Sequence, residues 1–197
     1  RNFEYYSEDP LVTGMTGTAA TLGVQSNKGV GVTIKHYAVN SQETNRNSEN
    51  NTISQRALRE IYLKGFELAV KEAKPMSIMT SYNLINGIHS ANNKDLLTAI
   101  TRNEWGFDGI VMTDWGTTGG MEMNQGMEFK YGCSSAAGCI KAGNDLTMPG
   151  KQEDVDEIIA SVGAKDGDVV CPITLGDLQT CAKRMLNTIM KSSAYME

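Results

Sequence analysis

The sequence predicts an α/β fold built on parallel strands, and two observations lead to this prediction. Short apolar runs alternate along the chain with longer segments of helical periodicity, and a parallel neighbour can be reached only through such a crossover. In addition, polar or aromatic residues follow three of the four apolar runs. Since ligands bind at the carboxyl ends of parallel strands, this pattern predicts a functional site at one edge of the sheet.

Four strands are predicted, over 31–34, 76–82, 109–112 and 145–148. Each is a short apolar or β-branched run bounded by glycine, proline or polar residues. The first three end in Lys35-His36, Tyr82-Asn83 and Asp114-Trp115, and the fourth stops at Pro149-Gly150.

Five helices are predicted, with bounds of about 10–22, 54–74, 93–104, 155–162 and 174–192. Asp9 before Pro10 is typical of an N-cap followed by proline at the first helical position, and Asn93 is a further cap candidate. Thr174 with Asp177 three residues on resembles a capping box. The second helix keeps one apolar face, formed by Leu58, Ile61, Tyr62, Phe66, Ala69, Val70 and Ala73.

The number of strand–helix units limits the architecture. The chain has about four such units in 197 residues, whereas a complete eight-stranded β/α barrel takes about 250 residues. The pattern therefore predicts either a small open sheet or about half of a TIM-type barrel.

The composition is typical of a soluble globular protein, with 40% hydrophobic and 21% charged residues. The net charge of -5 and the lack of a basic run argue against nucleic acid as a partner. No stretch approaches the ~18 apolar residues of a membrane span, so no membrane partner is expected. Residues 1–4 lack the apolar region of a signal peptide, which leaves the localisation unknown. Because the chain opens with Arg1, we expect that it has been cut from a longer one.

The cysteines give little indication of a metal site. Cys133, Cys139, Cys171 and Cys181 form no C-x-x-C pair, and the chain has two histidines. A structural zinc ion is therefore not expected. A disulfide between Cys133 and Cys139 is one alternative, and free or buried thiols are the preferred one.

Asp114 is the leading candidate for chemistry, because it directly follows a buried strand. Such a residue can be a helix cap, but it can also be a carboxylate that meets a substrate. Trp115 favours the second interpretation, since sugar rings present flat C–H faces that pack on indoles. Lys35 and His36 cannot share one strand face, so both act in a site only if they lie at the strand end. His36 by itself is more typical of a structural histidine.

Several stretches of the sequence resemble glycoside hydrolase family 3, in that family's order and approximate spacing. These stretches are 1–10, 35–40, 42–46, 79–83, 111–116 and 143–150. The resemblance covers nearly the whole chain. The N-acetylglucosaminidase branch of the family carries a histidine-bearing loop that the KHYAVN stretch at 35–40 lacks. The chain is therefore similar to the β-glucosidase and β-xylosidase branch.

This resemblance implies a retaining exo-β-glycosidase that hydrolyses terminal non-reducing β-D-glucosyl or related residues of a β-linked oligosaccharide or β-glucoside. Asp114 is then the nucleophile that forms a covalent glycosyl-enzyme intermediate. No metal or cofactor is implied. The other implied site residues are Arg1, Lys35 and His36 at sugar hydroxyls, Tyr82 beside Asp114, Met79 at the pocket wall and Trp115 against the ring.

A retaining glycosidase also needs a carboxyl group ~5–5.5 Å from the nucleophile to act as acid and base. The resemblance implies that this group lies on a separate α/β sandwich domain, which the chain does not match. No motif assigns the role to Glu43, Glu122 or Asp145. The chain 1–197 is thus expected to be the carboxyl-terminal half of the barrel domain, without the other barrel half and the sandwich domain.

Three alternatives remain at this point. The half barrel is expected to associate with the missing half or with another copy of itself, and to have little glycosidase activity alone. Alternatively, the chain is a non-catalytic fragment that binds sugar weakly or acts only in assembly. In the third interpretation it is an unrelated small α/β protein in which Asp114 caps a helix.

Overall fold

The computed structural model describes residues 5–119 and 130–195 of the chain. In chain order, its helices and strands are α1 Pro10–Gln25, β1 Thr33–Tyr37, β2 Asn50–Asn51, α2 Gln55–Ala57, α3 Lys64–Ala73, β3 Ser77–Thr80, β4 Leu84–Ile85, β5 Ile88–His89, β6 Ile110–Met112, α4 Ala136–Ala142, α5 Gln152–Ser161 and α6 Leu175–Lys191. Two π-helical segments, Leu58–Tyr62 and Asp95–Glu104, and two 3₁₀ turns, Arg46–Ser48 and Ser90–Asn92, complete the set.

The main sheet is parallel, in the order β1-β3-β6, as the alternating pattern predicted. The strand predicted over 31–34 begins later and includes His36 itself. The strand predicted over 145–148 is reduced to a single parallel bridge between Leu146 and Met112. Pairing stops there because the amide of Met148 donates to the Thr113 hydroxyl, and Pro149 has no amide hydrogen to continue the ladder.

A small second sheet lies beside the end of β3. Strand β2 pairs with β4 in parallel, and β4 pairs with β5 as an antiparallel hairpin. The hairpin turns at Asn86-Gly87, where both residues have positive φ, 51° and 86°. Asn-Gly is the strongest short-range hairpin signal, although β4 and β5 are not among the four predicted strands. The hairpin follows Tyr82 directly and so borders the predicted site.

Helix α1 begins as predicted, with Asp9 Oδ1 accepting hydrogen bonds of 2.8 Å from the amides of Leu11 and Val12. Its buried residues are small, namely Gly14, Thr18 and Thr21. A Cβ at Gly14 would lie 2.6 Å from Leu68 Cδ1 and 3.2 Å from the Gly65 backbone. Two glycines therefore allow α1 to pack closely on α3.

The predicted helix over 54–74 is interrupted by the π-helical segment Leu58–Tyr62. Ser54 caps its start by accepting a hydrogen bond from Ala57 N. Ile61 and Tyr62 were predicted on the apolar face but are exposed. A π turn adds a residue to the helical repeat, so residues spaced for a regular α-helix do not stay on one face. The next helix, predicted over 93–104, is π-helical in Asp95–Glu104, and Asn93 caps it through Leu96 N.

The core lies between the main sheet and the helices of its flank. Tyr37, the last residue of β1, is fully buried, with its ring edge-on to Phe66 at 4.9 Å and to Trp105 at 6.0 Å between centroids. Its hydroxyl lies 2.8 Å from Thr101 Oγ1, and burial raises the pKa of Tyr37. This packing fixes the backbone next to His36.

Helix α4 was not predicted, because its Ala/Gly-rich sequence has no clear hydrophobic periodicity. Two side chains, Ser135 and Glu157, accept hydrogen bonds from the first amides of α4. Ser135 Oγ accepts a hydrogen bond from Gly138 N, and the Glu157 carboxylate accepts hydrogen bonds from the amides of Ala136 and Ala137. Helices α5 and α6 follow close to their predicted bounds, and α6 has the expected capping box of Thr174 and Asp177.

The four cysteines are free thiols, so the alternative of a Cys133–Cys139 disulfide is not realised. Cys139 is buried and its Sγ lies 3.1 Å from Asn92 Oδ1. Within residues 5–119 and 130–195, none of the helices is both long and apolar enough to cross a bilayer.

Candidate active site

The carboxyl ends of β1 and β6 bring His36 and Asp114 together. His36 Nε2 lies 3.6 Å from Asp114 Oδ2, and both side chains are buried. They reach each other over the end of β3, which is the middle strand of the sheet. The structure therefore places two of the sequence-predicted residues in direct contact at the predicted edge.

The two carboxylate oxygens of Asp114 have different surroundings. Oδ1 accepts a hydrogen bond of 2.7 Å from Trp115 N, which fixes the side-chain rotamer. Oδ2 is buried and accepts no hydrogen bond from the residues that the structure describes. A buried carboxylate oxygen without a donor is costly.

The backbone after Asp114 forms a tight turn and not a helix. The interpretation of Asp114 as a helix cap is therefore wrong. Thr117 donates through its amide and its hydroxyl to the Asp114 carbonyl, at 3.3 and 2.8 Å. Gly116 has φ 70° and donates through its amide to the Met148 carbonyl. A side chain at this φ would be strained. The turn presents Trp115, which is 39% exposed.

The pKa of Asp114 lies above its ordinary value, and burial is the main cause. The Trp115 amide, the Arg46 charge, the Tyr82 hydroxyl and the Lys35 charge all lower the pKa but do not cancel this effect. Desolvation disfavours the charged carboxylate, whereas donors and cations favour it. The ionised form of Asp114 therefore depends on its positive and hydrogen-bonding neighbours.

Tyr82 supports the same turn. Its buried hydroxyl donates a 2.6 Å hydrogen bond to the Trp115 carbonyl. The guanidinium carbon of Arg46 lies 5.0 Å from the centroid of the Tyr82 ring. Tyr82 thus acts on Asp114 through the backbone of Trp115 and, since its hydroxyl lowers the pKa of the carboxyl, also directly.

His36 is oriented by Tyr5. The Tyr5 hydroxyl donates to the Asn40 carbonyl at 3.1 Å and lies 3.3 Å from His36 Nδ1. Because the hydroxyl has a single proton, its oxygen is then the acceptor for Nδ1–H. This arrangement fits a tautomer in which Nε2 faces the site, as an acceptor when neutral and as a donor to Asp114 when protonated.

The end of β1 is tied to the end of β3 by polar residues that the sequence analysis did not single out for this purpose. Ser81 Oγ and Asn83 Nδ2 both donate to the Ala38 carbonyl, at 3.0 and 3.1 Å. Ser90 Oγ in turn accepts a hydrogen bond from Ser81 N. The sequence signal for Ser81 and Asn83 was their position close after the buried strand β3.

The remaining predicted residues differ in their placement. Lys35 lies in the middle of β1 and is exposed, and its charge lowers the pKa of Asp114. Met79 is half-buried on β3 and pairs in register with Met112. Arg1 lies outside the described residues. Tyr5 and Arg46 contact the site but were not predicted as site residues; both lie in stretches that resemble the family.

The other candidate carboxylates have structural surroundings or lie elsewhere. Asp145 is fully buried and accepts hydrogen bonds from Arg102 at 2.6 Å, Arg184 at 3.2 Å and Val111 N at 2.9 Å. Glu43 lies on the surface, 3.3 Å from Arg46. Glu122 lies outside the described residues. Within residues 5–119 and 130–195, no three histidine, cysteine or carboxylate side chains are grouped as metal ligands.

The fold and the site define an α/β protein with a carboxylate-centred site at the carboxyl ends of parallel strands. Residues 1–172 match the model of the glycosyl hydrolase family 3 N-terminal domain, and the chain belongs to this family. The resemblance found in the sequence motifs is thereby confirmed.

Two relatives match most or all of the chain. It is 46% identical over 172 residues, or 86% of its length, to beta-glucosidase B of Emericella nidulans, of which it covers 18%. It is 45% identical over 196 residues, its full length, to an exo-alpha-(1->6)-L-arabinopyranosidase of Bifidobacterium longum, of which it covers 23%. The chain thus spans about a fifth of the length of these two relatives.

The solved structure of beta-glucosidase 3B from Thermotoga neapolitana in complex with glucose has a similar fold. The TM-score is 0.83 at 39% sequence identity, and the match covers 99% of this chain and 25% of that chain.

Proposed function

We propose that this chain carries the nucleophile of a retaining exo-β-glycosidase of the β-glucosidase type. The observation that supports this most directly is the Asp114 carboxylate. Its Oδ1 is fixed by Trp115 N, while its buried Oδ2 accepts no hydrogen bond from a described residue and lies 3.6 Å from His36 Nε2. A preorganised, poorly solvated carboxylate oxygen is what attack on an anomeric carbon requires.

In the first step, Asp114 Oδ2 attacks the anomeric carbon of a terminal β-glycosyl residue. A bond forms between Oδ2 and this carbon, while the bond from the carbon to the leaving oxygen breaks. The leaving oxygen takes a proton from a carboxylic acid outside this chain, and the sugar remains as an ester on Asp114.

In the second step, water attacks the anomeric carbon from the face that the leaving group vacated. The same external carboxylate takes the proton of the water, and the ester bond breaks to return ionised Asp114. Two inversions give a product with the β configuration of the substrate.

The other predicted residues bind the terminal sugar in this proposal. Lys35, His36 and Arg1 hydrogen-bond its hydroxyls, and Met79 lines the pocket. The exposed indole of Trp115 packs on the ring. Hydrogen bonds that strengthen as positive charge develops on the sugar lower the barrier, because they stabilise the transition state more than the ground state.

We further propose that the chain is the carboxyl-terminal half of a β/α barrel of about four units. In the described residues, β1 pairs with β3 on one side and with no strand on the other. A cavity of about 880 Å³ lies between α1, β1 and the helical segment before β3. An unpaired edge recruits a partner strand. The partner is the other barrel half or a second copy of the chain.

A second substrate class follows from the relatives. The arabinopyranosidase of Bifidobacterium longum matches the whole chain at 45% identity, against 86% of the chain for the beta-glucosidase of Emericella nidulans. Terminal α-L-arabinopyranosyl residues are therefore the alternative to terminal β-D-glucosyl residues. Comparing kcat/KM for the 4-nitrophenyl β-D-glucoside and the 4-nitrophenyl α-L-arabinopyranoside, with the protein that contains this chain, decides between them.

Covalent trapping tests the nucleophile. A 2-deoxy-2-fluoro-β-D-glucoside with a dinitrophenolate leaving group needs no acid, so intact mass spectrometry after incubation isolates the first step. We expect one fluoroglucosyl adduct, mapped to Asp114 by peptide sequencing. Asp114→Asn should give none, and Asp108→Asn, at an exposed carboxylate, should react like the wild type. A folded wild-type chain without an adduct would favour the non-catalytic alternative.

A further inference from the structure

Arg46 lies beside Tyr82 on a 3₁₀ turn, outside the set of residues predicted to bind sugar. The turn Arg46–Ser48 follows Asn45, which has a left-handed backbone with φ 56°. The Arg46 side chain is 21% exposed, and its Nε is buried without a hydrogen-bond partner. Its guanidinium carbon lies 5.0 Å from the centroid of the Tyr82 ring.

The contacts of Arg46 lead stepwise to Asp114. A guanidinium over an aromatic face is attracted by the ring quadrupole and limits how the ring can tilt. The hydroxyl of this ring donates at 2.6 Å to the Trp115 carbonyl. The amide of Trp115 donates at 2.7 Å to Asp114 Oδ1. A displacement of Tyr82 would therefore move the turn that sets the Asp114 rotamer.

Arg46 also acts on Asp114 through its charge. The described groups that act on the carboxylate are His36 and Lys35 on β1, Tyr82 after β3, and Arg46 on its turn. Two cations, Arg46 and Lys35, lower the pKa of Asp114 and so oppose the effect of burial, and Arg46 has the larger effect. Its partner Glu43 has a side chain 62% exposed. Solvent screens an exposed charge more strongly than a buried one, so the positive charge dominates toward the site.

We propose that Arg46 is a positioning residue of this site, which holds Tyr82 against the Trp115 carbonyl and places a fixed positive charge near the Asp114 carboxylate. The proposal rests on the role of Asp114 given under the proposed function. Arg46 itself does not touch the sugar or exchange a proton in the reaction.

The direct test measures the protonation of Asp114 without any substrate. Carbon-13 NMR of the aspartate Cγ atoms, assigned with Asp114→Asn, follows the titration of Asp114 in the wild type and in Arg46→Gln. We expect the transition to move to higher pH in Arg46→Gln, because a nearby cation favours the charged form. Arg46→Lys keeps the charge and should stay close to the wild type. Arg56→Gln is the matched control, since Arg56 pairs with Glu60 on the surface with its side chain 84% exposed.

The second readout is the rate of covalent trapping by the fluoroglucoside. In Arg46→Gln we expect the rate to fall roughly 10- to 100-fold, because a small displacement of the nucleophile costs rates of this order. The acidic limb of its pH profile should move to higher pH with the NMR transition. Arg46→Lys should recover the position of the limb but only part of the rate, since lysine lacks the planar group that stacks on the ring.

The outcomes separate this proposal from the proposed function. If the wild type gives no adduct while the Asp114 transition still moves in Arg46→Gln, the proposed function fails and the coupling of Arg46 to Asp114 stands. If Arg46→Gln is folded by near-ultraviolet circular dichroism and its Asp114 transition is unchanged, the proposal for Arg46 is overturned.

Discussion

His36 Nε2 and Asp114 Oδ2 meet at 3.6 Å although their strands, β1 and β6, are not neighbours in the sheet. Strand β3 lies between them, and adjacent strands are about 4.8 Å apart. The two side chains therefore meet above the end of the middle strand. Parallel strands make this possible, because each delivers its last residues to the same edge. The β1–β3 register shifts between Ile34 and Tyr37, the stretch that contains His36.

Loss of the Tyr5 hydroxyl should weaken the site through His36. In Tyr5→Phe, His36 Nδ1 loses the oxygen that lies 3.3 Å away and orients the ring. A hydrogen bond of this kind contributes about 0.5–1.5 kcal/mol, so we expect covalent trapping to slow by roughly 2- to 10-fold. Trapping kinetics by mass spectrometry give the rate. Tyr6→Phe is the control, because Tyr6 is exposed and should leave the rate unchanged. Equal rates in Tyr5→Phe and the wild type would contradict the orienting role.

Replacing the candidate nucleophile should stabilise the fold at neutral pH. The folded state raises the pKa of Asp114, so it holds the proton more tightly than the unfolded chain does. Stability is then highest below the ordinary carboxyl pKa and falls as the pH rises through the higher, folded-state pKa. Asp114→Asn removes this loss, and we expect its free energy of unfolding to exceed that of the wild type by about 0.5–2 kcal/mol at pH 7.

Measuring the same difference in unfolding free energy at a second pH serves as the control. Urea unfolding at pH 7 and at pH 3.5 should show the difference between Asp114→Asn and the wild type shrinking on acidification, because Asp114 is then mostly protonated in both states. A difference that is the same at both pH values would mean that the amide acts through packing and not through the removed charge.

Asp145, paired with Arg102 and Arg184, is expected to stabilise the core without a role in the chemistry. Asp145→Asn leaves Arg102 buried opposite a neutral group, and breaking a buried ion pair costs about 3–5 kcal/mol. Asp108→Asn removes an exposed pair with Lys191, which is worth about 0–1 kcal/mol. Urea unfolding of both variants measures the contrast. A cost for Asp145→Asn as small as that for Asp108→Asn would show that solvent or another group compensates Arg102.

The parallel sheet, the caps of three predicted helices and the edge that carries the site were predictable from local sequence. Asp9, Asn93 and Thr174 cap their helices through their own side chains, and such signals act within a few residues. The π-helical segments were not predictable, because a regular period of 3.6 residues fits their sequences as well. The shortening of the predicted strand 145–148 to a bridge at Leu146 was not predictable, because it depends on Thr113, which follows β6 and accepts a hydrogen bond from the Met148 amide.

By itself, the sequence determined the family, the alternation of strands and helices, and the residues that stand at the strand ends, among them His36, Tyr82 and Asp114. These are local properties of order and spacing. Only the tertiary structure decided which groups orient them: Tyr5 on His36, and Arg46 on Tyr82. Such contacts join residues from different elements, and their distances follow from how the strands and turns pack. No pattern of spacing along the chain carries that information.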